Sequence, residues 1–203
     1  ETVLEDNGFD LIKVSLKAHD VLTTLQAHRL MAERCSYPFH CGITESGPPE
    51  YGSIKSAVGL ALLISEGLAD TVRVSLTADP VEEVRLALSV LASMGLRVQP
   101  RNIISCPTCA RREIDVVQWV YKVEKVLQEH NVKNITVAVM GCVVNGPGEA
   151  RDADIGITGS AGKAVIFRHG KVVATVPEEE LIPTFVKELQ QLISSKSAQT
   201  ERE

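Results

Sequence analysis

Cys106-Pro-Thr-Cys109 and the later Gly141-Cys-Val-Val-Asn-Gly-Pro-Gly-Glu149 hold three thiols in a spacing that suits a metal centre. Thiolates bind soft metals, and iron–sulfur clusters are normally held by four of them. With three cysteines, one iron is left for a weaker, exchangeable ligand, and Glu149 is the nearest candidate. The spacing leaves two other uses open. Zinc accepts a three-sulfur-plus-one site, and a Cys-x-x-Cys at a helix start just after a strand suits a thiol–disulfide oxidoreductase. Cys142, on a loop whose glycines let backbone approach a bulky group, favours iron–sulfur over both. Asn-Gly is also a plain turn dipeptide, but between Cys142 and Glu149 Asn145 reads as an active-site hydrogen-bonding group. Cys35 and Cys41 read as buried small hydrophobes.

Further polar residues recur at strand ends upstream. Lys17, Glu45 and Ser75 each lie at or just past the C-terminal end of three successive predicted strands. A lysine can bind phosphate as a point charge, and a desolvated Glu45 would serve as a proton donor. Arg73 precedes Ser75 by two residues and so shares its strand face. Taken singly, each is as well explained as an ordinary surface residue. His19 reads as core or surface.

The elements that must carry these groups follow from periodicity. Strands are expected over 11–16, 39–43 and 71–76, followed by helices over about 20–34, 54–66 and 80–94. Strands alternating with helices imply a parallel sheet with right-handed crossovers, and polar residues at the strand ends favour a barrel over a doubly wound sheet. Three βα units are too few for eight, and the sequence opens inside a helical pattern, so part of a barrel is expected. After about 95–101 the pattern becomes α+β. Strands are expected over 102–105, 135–140, 153–157, 164–167 and 172–176, the last two joined at His169-Gly170. Helices are expected over 112–129, with Val116, Val120, Val123 and Leu127 as the apolar stripe, and from Pro177 to about Ser194. The expected organisation is a truncated barrel over 1–97, a cluster-binding α+β domain over 98–195 and a disordered tail over 196–203.

The bulk composition narrows the field. The 203 residues are 44% hydrophobic with a net charge of −5. Mild acidity argues against a general nucleic-acid surface, and no apolar run reaches the ~18 residues of a membrane span. With no secretory leader, five cysteines suit a reducing, cytoplasmic setting.

The two cysteine motifs, with Gly42-Ile-Thr-Glu-Ser-Gly47 and Arg73-Val-Ser-Leu-Thr-Ala-Asp-Pro80, closely resemble the 4-hydroxy-3-methylbut-2-en-1-yl diphosphate synthase family over essentially the whole chain. The resemblance implies the last three βα units of a TIM (β/α)8 barrel, followed by a sulfite/nitrite-reductase-like iron–sulfur domain. It implies a [4Fe–4S] cluster on Cys106, Cys109, Cys142 and Glu149. It also implies reductive ring opening of 2-C-methyl-D-erythritol 2,4-cyclodiphosphate, with Lys17, Ser75 and Arg73 on the diphosphate and Glu45 and Asn145 near the reacting carbons. A homodimer and a flavodoxin or ferredoxin electron donor complete the picture. Further diphosphate-binding arginines belong to barrel strands absent here, which puts the activity of the isolated chain in question.

Overall fold

The structure, a computed structural model, describes residues 2–98, 101–142, 150–160 and 162–200. The chain divides into two compact units, 1–98 and 99–203.

In the first unit α1 (Thr2–Asp6) precedes a helix α2 (Val21–Ala32), strand β1 (His40–Cys41), helix α3 (Pro49–Ser65), strand β2 (Thr71–Val72) and helix α4 (Pro80–Ser93). β1 and β2 pair in parallel, His40 opposite Thr71 and Cys41 opposite Val72. The strand expected over 11–16 is reduced to one parallel bridge, Val14 to Phe39. There Val14 N–H donates to Pro38 O (3.0 Å) and His40 N–H to Val14 O (2.8 Å). Side chains alternate across this small parallel array. Phe39, Cys41 and Val74 are buried, with Val14 and Val72 packed against them, beneath Leu25 of α2, Leu60 and Leu63 of α3 and Val90 of α4. Two helices begin on aspartate caps: Asp20 accepts from Thr23 N–H (2.7 Å) and Asp79 from Val81 N–H (2.8 Å). Each cap satisfies a backbone donor that has no partner within the helix. α3 starts at Pro49, earlier than its apolar pattern suggests, because a proline suits the first turn, where its missing N–H costs nothing.

The second unit is a five-stranded mixed sheet in sequence order: β3 (Arg101–Ser105), β4 (Ile135–Met140), β5 (Ile155–Ser160), β6 (Lys163–Arg168) and β7 (Lys171–Pro177). β3–β4 and β4–β5 are parallel, while β5–β6 and β6–β7 are antiparallel. His169 (φ 45°) and Gly170 (φ 74°) turn the last hairpin, both in the left-handed region that a type I′ turn requires. Helices α5 (Val116–Glu129) and α6 (Leu181–Thr200) share one core with the sheet, centred on Trp119, Val123, Leu127, Phe185 and Leu189. On the other face Ala138, Met140, Ala150, Ala153 and Phe167 form a smaller cluster.

The strand expected over 153–157 spans Ile155–Ser160, and two expected helix starts move. α5 begins at Val116 rather than Arg112, because Asp115 caps it by accepting from Gln118 N–H (3.0 Å). The terminal helix begins at Leu181, since Pro177 ends β7 and residues 178–180 form a 3-10 turn. That helix runs on to Thr200, into the expected disordered tail. No glycine or proline interrupts it after Pro183, and Lys196 anchors it with an ion pair to Asp154 at 2.6 Å.

Candidate functional site

Two groups of polar side chains stand out, one in each unit. In the first unit, the side of the parallel array away from the helices carries Lys13, Ser15, Lys17, His40, Thr71, Arg73 and Ser75. Lys17 Nζ donates to Ser15 Oγ and to His40 O (3.2 Å), and Ser15 Oγ also donates to His40 O (3.2 Å). Arg73 Nε donates to Ser75 Oγ (3.0 Å), and His40 Nδ1 meets Thr71 Oγ1 at 2.9 Å. The structure thus joins Arg73 to Ser75 directly and sets Lys17 against His40 of β1, the strand that pairs with β2. Crowding of like charge is visible in the acid–base chemistry. The Lys17 ammonium sits below the ordinary lysine range, first through burial and then through the Arg73 and Lys13 charges, partly offset by Cys41. His40 is lowered by burial and then by Lys17, Lys13 and Arg73. Such a face has surplus positive charge with few internal anions, which favours binding a polyanion.

The strand-end loops that carry these groups are hydrogen-bonded together. Thr44 N–H donates to Ala18 O (3.1 Å) and Thr77 N–H to Gly47 O (2.9 Å). Gly42 is required by space: a Cβ there would lie 2.4 Å from Arg73 O. Glu45 is exposed and takes φ 52°, a conformation few non-glycine residues adopt. The loop beside it is pinned from beneath. Ser46 Oγ donates to Ile43 O (3.0 Å), and Ser56 Oγ of α3 donates to Ser46 Oγ (3.2 Å), both serines being buried. Gly52 lets the first turn of α3 approach this loop, since a Cβ would meet Gly47 O at 2.9 Å. Sequence reasoning passed over Lys13, Ser15, His40 and the Ser46–Ser56 pair. Counting back in twos from Lys17 reaches Ser15 and Lys13, whereas the serine pair leaves no pattern in the sequence.

In the second unit, Cys106 follows β3 and Cys142 lies just beyond β4, at the C-terminal ends of two adjacent parallel strands. Gly141 N–H donates to Cys106 Sγ at 3.1 Å, which ties the first cysteine to the backbone next to the third. Cys142 is 5% exposed. Cys109 is exposed, and its thiol is held below its ordinary range, first by a hydrogen bond from the Arg111 backbone and further by the Arg111 charge. The pair is not at a helix start. Residues 107–115 separate Cys106 from α5, so the thioredoxin-like placement expected from the sequence is absent. Among the described residues no three His, Cys, Asp or Glu side chains converge as a metal-holding group, so Cys106, Cys109 and Cys142 are not gathered as one trio. Asn145 and Glu149 lie outside the described residues. The donor chemistry fits a soft metal: three sulfur side chains, one of them on an amide donor and another, Cys109, eased toward its anion, which is the form that ligates. Cys41 is the contrast. Buried, it donates to Leu68 O (2.9 Å), and its thiol is pushed up to about 11.

Comparison with known proteins reaches both units. Residues 1–88 match the GcpE TIM-barrel domain and residues 102–191 match the GcpE protein C-terminal domain. The chain is similar to the 4-hydroxy-3-methylbut-2-en-1-yl diphosphate synthase (flavodoxin) of Geobacter sulfurreducens, 49% identical over 194 residues, covering 96% of this chain and 55% of that protein. The proteins of the same name from Exiguobacterium sp. and Maridesulfovibrio salexigens are each 51% identical, over 201 and 199 residues, covering 99% and 97% of this chain and 54% and 55% of theirs. The chain spans about half the length of the curated relatives it matches. With both domain matches in order along one chain, and relatives of a single name at this identity, the chain belongs to the GcpE family.

Proposed function

We propose that this chain is the C-terminal part of a 4-hydroxy-3-methylbut-2-en-1-yl diphosphate synthase. The reaction is the reductive ring opening of 2-C-methyl-D-erythritol 2,4-cyclodiphosphate to 4-hydroxy-3-methylbut-2-enyl diphosphate in isoprenoid biosynthesis. Two electrons enter and one hydroxyl leaves as water. The first unit supplies the last three βα units of a TIM barrel, and the second a sulfite/nitrite-reductase-like domain. Cys106, Cys109, Cys142 and Glu149 would hold a [4Fe–4S] cluster, which when bound supplies electrons one at a time. Flavodoxin, named for the relatives, is the donor; the working enzyme is a cytoplasmic homodimer.

The observation that supports this reading most is the 3.1 Å hydrogen bond from Gly141 N–H to Cys106 Sγ, which sets Cys106 against the chain neighbour of Cys142. The cationic face supports it from the other unit. A diphosphate bridging Lys17 and the Arg73–Ser75 pair would gain charge-assisted hydrogen bonds and hold the ring for reaction. Glu45, on its pinned left-handed loop, would donate the proton that turns the leaving hydroxyl into water, and Asn145 would orient the substrate. Strained backbone of this kind gathers where function over-determines it.

The test is anaerobic loading of the full-length protein, with iron and sulfide measured. About four of each per chain are expected for a cubane, against one zinc for a structural site. Turnover of the cyclodiphosphate with reduced flavodoxin should follow loading. A zinc-replete protein with no product would end the proposal.

A further inference from the structure

Gly141 is where both ends of the Cys106–Glu113 loop close. Its N–H donates to Cys106 Sγ (3.1 Å), and its C=O accepts from Glu113 N–H (2.8 Å). Cys142 is its chain neighbour. Between those anchors the loop passes through Cys109 and is turned by Cys109 N–H on Pro107 O (2.8 Å) and Arg112 N–H on Cys109 O (3.2 Å). The glycine is not there for its backbone freedom, since it is absent from the residues with positive φ. It is there for space. A Cβ would lie 2.9 Å from Val116 Cγ2, 3.2 Å from Arg112 Cβ and 3.4 Å from Cys106 Sγ, where carbon atoms pack best at ~3.5–4.0 Å. Val116 is 3% exposed, in the first turn of α5, and has little room to yield.

We propose that Gly141 is a positioning residue of the metal centre: its N–H directs the Cys106 sulfur, and its missing side chain lets the loop bearing Cys106 and Cys109 close beside Cys142. Hydrogen bonds to ligand sulfurs are among the levers that set the potential of an iron–sulfur group, because a donor draws charge off the sulfur and favours the reduced state. The inference rests on the reading of these cysteines as ligands.

The test compares full-length wild type, Gly141→Ala and the double variant Gly141→Ala/Val116→Ala, each loaded anaerobically. In Gly141→Ala the added methyl presses Cys106 off its donor. The midpoint potential of the loaded fraction should move negative, and the electron paramagnetic resonance signal of the reduced protein should change. Trimming Val116 removes the nearest clash, so the double variant should return toward wild type on both measures. A residue of merely structural importance would lower thermal stability and leave the potential of the loaded fraction in place; that result overturns the inference. A variant that takes up no cluster is read metal-free, by iodoacetamide alkylation with mass mapping. A changed rate at Cys106 relative to buried Cys41 supports the inference, and an unchanged ratio overturns it. Wild type that loads zinc instead of iron would defeat the iron–sulfur reading, whereas wild type that loads normally beside an unaltered Gly141→Ala defeats the Gly141 role alone.

Discussion

The cationic face of the first unit is made of side chains that hold one another, with Lys17 on Ser15 and Arg73 on Ser75, whereas the cysteine loop of the second unit is held by backbone, with Gly141 at its centre. The difference separates two kinds of sensitivity. A face of flexible charged groups should respond to pH, salt and charge-altering substitutions while the fold stays intact. A loop fixed by main-chain hydrogen bonds and a close glycine should respond to volume and geometry, with little dependence on ionic strength.

The sharpest way to break that contrast is in the loop. Cys142→Ser in the full-length protein should abolish the visible absorbance of the loaded cluster while far-ultraviolet circular dichroism persists; unchanged absorbance would remove Cys142 from the ligands. Next comes the core that supports the loop. Trp119 is fully buried and its Nε1–H donates to Glu178 Oε1 at 3.0 Å. Trp119→Ala should cost about 3–5 kcal/mol in denaturant unfolding of the second unit, and a loss under 1 kcal/mol would mean that the core repacks.

On the cationic side, Lys17→Ala should lower kcat/KM about 10- to 100-fold, as hydrogen bonds to a charged group contribute about 1.5–3 kcal/mol. The sign of its pH dependence follows from the lowered Lys17 value. The fold penalises the ammonium, so Lys17 sheds its proton at a lower pH than an ordinary lysine, and substrate affinity should fall early on the alkaline side. Lys17→Arg should flatten that limb, because guanidinium keeps its charge. The smallest effect separates the cysteines of the two units. In metal-free protein Cys109, exposed and eased toward thiolate, should alkylate first, and Cys41, whose thiol is raised to about 11, last. Equal rates would erase the distinction.

Much of this was legible in the sequence, and what was missed shares a cause. The Asp79-Pro80 helix start, the apolar strand 135–140 and the His169-Gly170 turn are local signals, and the structure has all three. Residues 112–115 continue a helical pattern in the sequence, and only the hydrogen bond from Gln118 N–H shows that Asp115 caps the helix rather than extends it. The apolar pattern of α5 points to Val120, whereas Trp119 is the residue of the two that is fully buried. The cysteines and Lys17, Arg73 and Ser75 could be chosen by residue type and position. Gly141, Gly42 and the Ser46–Ser56 pair could not, because their roles lie in contacts with residues far along the chain.

The parallel pairing of β4 with β5 has one more consequence. A chain leaving the C-terminal end of β4 must travel back the length of the sheet before β5 can start, and Asp154 N–H is already on Thr136 O, beside the beginning of β4. Residues 141–154 make that return with no helix among their described members. The third cysteine therefore sits at the start of the connection between β4 and β5. A change there acts on the surroundings of a thiol and on the approach to a strand together, because both hang on one connection.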